Sequence, residues 1–270
     1  MGFFYFIVFI FGLMVGSFLN SIIYRLPSGE SFLIQRSYCP YCKHKLSWKD
    51  LIPIFSFLIL KGKCRYCQKK ISWQYPLIEL ATGILFFLVL WNFFTGVNFV
   101  RIAFLLIFTC FLIIIFVYDL KHYIIPDKII YPAIAIALFY QLLRPVLNEV
   151  VVSGFGIFNL EIGKLQLLLN PLSSAILAGL FFLLIVLFSR GKWMGVGDVK
   201  LAFFMGLFLG FPNILIALFL AFFIGAIIGI GLIMSGKKTL KSEVPFGPFL
   251  VVGTFIALFW GQAILNHLSI

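Results

Sequence analysis

From Met1 to Tyr24 the chain carries no charged residue. A helix needs about 20 mostly apolar residues to cross a hydrocarbon core roughly 30 Å thick, so this run is long enough to span a bilayer. It lacks the basic n-region of a secretory signal and is expected to stay as a span rather than be cleaved. Seven further apolar runs follow: Pro76–Phe94, Val100–Tyr118, Lys128–Leu143, Pro171–Phe188, Val199–Gly210, Asn213–Met234 and Phe246–Asn266. The Lys128 and Val199 runs are short, and Phe211-Pro212-Asn213 reads as a tight turn that keeps the Val199 and Asn213 runs separate. Only 11% of the 270 residues are charged and 63% are hydrophobic, against about 25% charged in soluble domains. One core cannot hide that much apolar surface, so the bilayer is the solvent. The expectation is an all-α polytopic membrane protein of about eight spans. Its divisions are a first span (1–24), a polar loop (25–75) and a bundle (76–270).

The net charge is +12. Such a basic excess suits either nucleic acid or the cytoplasmic face of a membrane, and its distribution selects the second. The polar segments Arg25–Tyr75, Asp119–Asp127, Ser189–Asp198 and Ser235–Pro245, with the adjoining helix ends, hold every Lys and Arg except Arg101, Arg144 and Lys164. By the positive-inside rule that set is cytoplasmic, both termini face the other side, and Val146–Asn170 forms an external loop. The partner is the lipid bilayer; no nucleic acid is expected.

The first cytoplasmic loop carries an internal repeat. Cys39-Pro-Tyr-Cys-Lys-His-Lys-Leu-Ser-Trp48 aligns without a gap on Cys64-Arg-Tyr-Cys-Gln-Lys-Lys-Ile-Ser-Trp73. Cys39, Cys42, Cys64 and Cys67 can supply four thiolates to a tetrahedral Zn2+, and a closed four-cysteine site is structural. The spacer between the pairs slightly exceeds the usual ribbon length. Disulfides and a redox Cys-x-x-Cys are the alternatives. A reducing cytoplasm disfavours the first, and the duplication disfavours the second. His44 reads as a surface residue and Cys110, inside the third span, as packing. Between the knuckles Leu51–Leu60 is apolar but too short to span, so it is expected in the interface or against the bundle.

Among nine acidic residues, three aspartates fall near helix ends on the cytoplasmic side: Asp119, Asp127 and Asp198. The third span runs inward and ends at Asp119. The sixth runs outward and begins at Asp198, after Gly195-Val-Gly197. Topology therefore brings both to one membrane face. Two neighbouring carboxylates resist ionising together, so one activates water while the other, protonated, polarises a carbonyl. The glycines allow a close backbone approach or unusual dihedrals there. The plain alternative is that each aspartate is a helix-end residue paired with Lys121, His122 or Lys200. Asp127, just after Pro126, reads as a helix cap or first-turn group.

In order along the chain stand Gly16-Ser-Phe-Leu-Asn20, Tyr24-Arg25-Leu-Pro27, the paired knuckles, Tyr75-Pro-Leu-Ile-Glu79, Asp119, Ile125-Pro126-Asp127, Gly195-Val-Gly-Asp198 and Phe246-Gly-Pro-Phe249. This ordered set resembles the type IV prepilin peptidases, the bifunctional Gly-x-Gly-Asp intramembrane aspartyl proteases. The resemblance implies a bacterial inner-membrane enzyme. Its substrates would be prepilins or pseudopilins, cut after a glycine at the cytoplasmic face to remove a short basic leader. The new terminus would then be N-methylated with S-adenosylmethionine. It also implies Asp119 and Asp198 as the catalytic pair, while methyl-donor residues stay unassigned. Asn20 and Glu79, polar near cytoplasmic helix ends, suit either ligand binding or interhelical hydrogen bonds. The rivals are another Gly-x-Gly-Asp protease, such as a preflagellin peptidase, and a transporter. The acids, however, cluster at one face rather than at the midplane where transport sites lie.

Overall fold

The computed structural model describes residues 2–28, 37–94, 99–152, 160–236 and 244–268. Among the described residues its regular elements are helices, joined by turns and loops, with two isolated β-bridges within 38–70. The helices are α1 (Gly2–Arg25), α2 (Phe55–Ile59), α3 (Gln74–Phe93), α4 (Phe99–His122), α5 (Asp127–Val152), α6 (Leu160–Ser189), α7 (Val196–Leu209), α8 (Asn213–Met234) and α9 (Gly247–Leu268). Six of them are long and apolar enough to cross a membrane; α5 and α7 are not among these. With 14 residues, α7 is only ~21 Å long. α5 contains Pro132 and Pro145 and the polar Gln141 and Arg144. The eight apolar runs are thus all helical, and six of the eight meet the length and composition of a span.

The expected loop Val146–Asn170 is corrected in extent. α5 continues to Val152 and α6 starts at Leu160, leaving only 153–159, which lie outside the described residues. Leu, Glu, Lys and Gln are good helix formers. Charges that end an apolar run need not end a helix.

The chain forms two compact units, residues 1–114 and 115–270. In the first, α1 packs along α3 through small residues. A Cβ built on Gly12 would stand 2.8 Å from the Gly83 Cα, and one on Gly16 would stand 2.7 Å from the Glu79 Cα. Gly12 and Gly16 form a small-xxx-small seam, which lets helix backbones approach where lipid offers no hydrophobic drive to association. Leu13 of α1 lies against Gly83 and Phe86 of α3 against Gly12, and Leu19, Ile23, Val89 and Leu90 are buried as well.

In the second unit α7 is the hub. It contacts α5, α6, α8 and α9, and Leu201, Ala202, Phe204, Met205 and Leu207 are fully buried. An apolar surface all round fits a helix enclosed by others. Gly206 rests on the backbone of Ala175 in α6, and Gln141 of α5 donates to the Leu207 carbonyl at 2.6 Å. The turn between α7 and α8 is pinned by Asn170, whose amide donates to the Phe211 carbonyl at 3.0 Å and accepts the Phe211 N–H at 2.7 Å. This short helix presents its first turn, with Asp198, to the site.

Candidate active site and metal centre

α4 ends because Tyr123 takes a left-handed φ of 56° and its N–H returns to the Asp119 carbonyl at 2.9 Å. Asp119 therefore occupies the last turn of α4, 4% exposed. The chain then runs through Ile124 and Ile125 to Pro126, whose carbonyl accepts the N–H groups of Ile129 and Ile130 and starts α5. Asp198 lies in the first turn of α7, 9% exposed. Its carboxylate accepts the Gly195 N–H at 3.3 Å, and its own N–H donates to the Gly195 carbonyl at 3.1 Å. The Asp198 carboxylate feels the charge of Asp119: the two buried acids are neighbours.

Two glycines, Gly195 and Gly197, were candidates for a close approach or unusual dihedrals, and they divide. Gly195 is extended (φ −83°, ψ 156°), a conformation open to any residue. Gly197 is needed for close approach, because its Cβ would lie 3.0 Å from the Ile125 Cβ. Gly247, the first residue of α9, donates its backbone N–H to the Asp119 carboxylate. A Cβ there would stand 2.5 Å from Asp119 Oδ2 and 3.5 Å from Ile125 Cδ1. Ile125 is thus the buried spacer that both glycines touch. Behind Gly247, the Phe246 ring packs on Phe222 at 4.9 Å and on Phe182 at 6.1 Å. The only sequence signal for this donor was the Phe-Gly-Pro-Phe run.

Asp127 stands apart from the pair. It opens α5, its side chain is 61% exposed, and it holds the Lys200 ammonium at 2.6 Å. Lys200, one of the cations weighed as a partner for the three aspartates, pairs with Asp127 and also lies over the Tyr131 ring.

In the first unit the two knuckles are copies in three dimensions. Cys39 donates its N–H to the His44 carbonyl as Cys64 does to Lys69. Cys39 and Cys64 accept from Lys43 and Gln68, both in the left-handed region. The Sγ atoms of Cys39, Cys42, Cys64 and Cys67 all lie within 4.8 Å of one another. Zinc–sulfur bonds of about 2.3 Å in a tetrahedron put sulfurs ~3.8 Å apart, and the Cys39–Cys67 separation is 3.9 Å. The four thiols fit zinc. His44 is outside the cluster and stacks on Tyr66 at 3.6 Å. Asp50 clamps the repeat: it accepts from the Ser47 N–H and hydroxyl and from Arg65 Nε at 2.7 Å.

Asn20 donates to the Tyr75 carbonyl at 3.1 Å, and Glu79, buried in α3, accepts the Ile54 N–H at 2.8 Å. Both make hydrogen bonds between segments of the first unit.

Residues 10–93 match the family model described as the bacterial peptidase A24 N-terminal domain, and residues 106–230 match the type IV leader peptidase family. The chain is 32% identical to the prepilin leader peptidase/N-methyltransferase of Aeromonas salmonicida strain A449 over 96% of its length and 91% of the relative's. It is 32% identical to that of Legionella pneumophila (98% and 94%). It is 31% identical to that of Bacillus subtilis strain 168 (96% of each). No solved structure matches.

Proposed function

The chain belongs to the type IV leader peptidase family, and on that premise we propose that it is a membrane-embedded aspartyl endopeptidase. It cleaves the basic leader of type IV prepilins or pseudopilins after glycine and N-methylates the new amino terminus. The observation that carries this reading is the neighbouring, buried pair Asp119 and Asp198 in a chain matched by these relatives over nearly its whole length. One carboxylate takes a proton from water as it attacks the scissile carbonyl. The other, protonated, donates a hydrogen bond to that carbonyl. The collapsing intermediate expels the amine, which leaves with a proton from the pair. Gly247 orients Asp119 and Gly195 orients Asp198 through backbone N–H groups, so neither acid depends on a mobile side chain.

The lysine-rich helix ends support a cytoplasmic position for this face, and the bacterial relatives support an inner-membrane protein. A substrate's hydrophobic amino-terminal helix would lie in the bilayer, its scissile bond at the level of the pair. Cys39, Cys42, Cys64 and Cys67 would hold a structural zinc ion. When bound, S-adenosylmethionine would supply the electrophilic methyl group for the freed amine.

Purified protein incubated with a prepilin should release the leader, with the product terminus read by mass spectrometry. Asp119→Asn and Asp198→Asn should each lower cleavage by ~10²–10⁴-fold or more, and the double variant should be scarcely worse than either. A substrate supplied already cut should still be methylated by both. Near-normal cleavage by either Asn variant would refute the aspartyl mechanism.

A further inference from the structure

Leu51–Leu60 sits between the knuckles, and its chemistry is not that of a loop facing water. Phe57 points inward, packing on the Trp73 ring at 4.9 Å and against Gly62. Phe55, Leu58 and Ile59 point outward, 59%, 61% and 73% exposed, and Leu51 and Ile52 are exposed beside them. This one-sided apolar tip is tied down deep. The Ile54 N–H reaches Glu79 Oε2 at 2.8 Å, although Ile54 must hold a left-handed φ of 60° that a β-branched residue resists. Glu79 lies ~7 Å along the axis of α3 from Gln74. The tip is therefore level with the first turns of a membrane span rather than above its end.

The rim has a different character. Trp48 and Trp73 are both exposed, and exposed Lys49, Lys61, Lys63 and Lys70 stand on either side of the apolar tip in sequence. Asp50 is the only acidic residue in the segment from Ser37 to Trp73, and its carboxylate is taken by Ser47 and Arg65. The outer surface is consequently apolar at its tip, tryptophan-bearing at its edge and cationic around it. Aromatic residues favour the headgroup level, apolar tips the acyl boundary, and lysines an anionic leaflet.

We propose that Leu51–Leu60, with the short helix α2, is a leaflet-inserting loop that seats the zinc knuckles on the cytoplasmic membrane surface and selects anionic phospholipid. Ile52, Phe55, Leu58 and Ile59 enter the acyl boundary, while Lys49, Lys61 and Lys63 meet headgroup phosphates. Glu79 holds the turn in the conformation that directs the tip into the leaflet. None of this depends on the peptidase chemistry, and its tests do not read cleavage.

The full chain is placed in nanodiscs of phosphatidylcholine alone or of an equal mixture with phosphatidylglycerol. Phe55→p-benzoylphenylalanine and Leu58→p-benzoylphenylalanine should photocross-link to lipid, while Tyr41→p-benzoylphenylalanine, exposed on a knuckle, should not. Cross-links from both tip positions to protein, or to nothing, would overturn the insertion. In mixed lipid, phosphatidylglycerol retained by the extracted protein should fall about 5-fold for each of Lys49→Gln, Lys61→Gln and Lys63→Gln. Unchanged retention in the triple variant would overturn the anionic selectivity. Zinc content of each variant reports whether the knuckles are intact, and the two cross-linking positions decide the matter if one variant fails to fold.

Discussion

Gly247→Ala is the most direct probe of how Asp119 is positioned. A methyl group at residue 247 would stand 2.5 Å from Asp119 Oδ2. Non-bonded heavy atoms rest near about 3.5 Å, so the carboxylate or the start of α9 has to move by roughly 1 Å. The neighbouring contacts resist that movement. Ile125 lies 3.5 Å from the same methyl, and the Phe246 ring is wedged against Phe222 and Phe182. The Asp119 carboxylate then turns, and its hydrogen bond from the Gly247 N–H is lost or stretched, at a cost of ~1.5–3 kcal/mol for a bond to a charged acceptor. A displacement of ~1 Å in a preorganised site costs ~10²-fold, which corresponds to ~2.7 kcal/mol in the barrier. The two routes agree. Alanine favours helix more than glycine does, so α9 itself should not suffer. The assay is the initial rate of prepilin cleavage by purified variant in detergent. Gly229→Ala serves as control, since nothing lies within 4 Å of its built Cβ. Methylation of a pre-cut peptide should be unchanged. Gly247→Ala cleaving within about threefold of wild type would refute the positioning argument.

Purified protein should carry about one zinc per chain; Cys64→Ser should abolish it, and elemental analysis finding none in the wild type would sink the assignment. Gly16→Ala should lower thermal stability in detergent more than Gly83→Ala. The added methyl of the first meets the Glu79 backbone at 2.7 Å, whereas that of the second meets the movable ends of Leu13 and Phe9; equal or reversed losses would be the contrary result. Burial alone would raise the Asp50 carboxyl, but hydrogen bonds from Ser47 and the Arg65 ion pair outweigh it and hold it below the ordinary carboxylate range. Its contribution to the knuckle is therefore complete above the unfolded value of about 3.9 and is lost as pH falls through the lower folded one. Hydrogen exchange of Ser47–Leu51, corrected for intrinsic rate, should become faster on that acid limb in the wild type and be insensitive to it in Asp50→Asn.

Much of this molecule was legible because the bilayer imposes simple rules. Six of the eight apolar runs became helices within about four residues of the expected bounds, and the ten-residue knuckle repeat became two matching hydrogen-bond patterns. The misread stretch was Val146–Asn170. Glu161, Lys164 and Gln166 end an apolar run there, but they do not end a helix whose partners are its own backbone groups. The role of α7 was hidden for the opposite reason. Its apolar surface reads the same whether lipid or other helices surround it, and only its packing against α5, α6, α8 and α9 shows which.

The site itself was half legible. Charge asymmetry and the direction of each span were enough to bring Asp119 and Asp198 to one face, but they brought Asp127 there as well. What separates the three is the kind of partner each carboxylate has. Asp127 is mostly exposed and its carboxylate holds the Lys200 ammonium at 2.6 Å. Asp119 and Asp198 are buried, feel one another, and each accepts a backbone N–H from a glycine. A backbone donor fixes where an oxygen sits without contributing a full counter-charge, which is what the proposed sharing of a proton within the pair requires. Gly195 is local to Asp198, but the donor to Asp119 comes from far along the chain, and no local pattern predicts that Gly247 meets Asp119. The close approaches at Gly197 and Gly247, both against Ile125, make the same point sterically. The acids are positioned by glycine main chain pressed against the Ile125 side chain and the Asp119 carboxylate, an arrangement that any side chain larger than hydrogen at Gly247 would break.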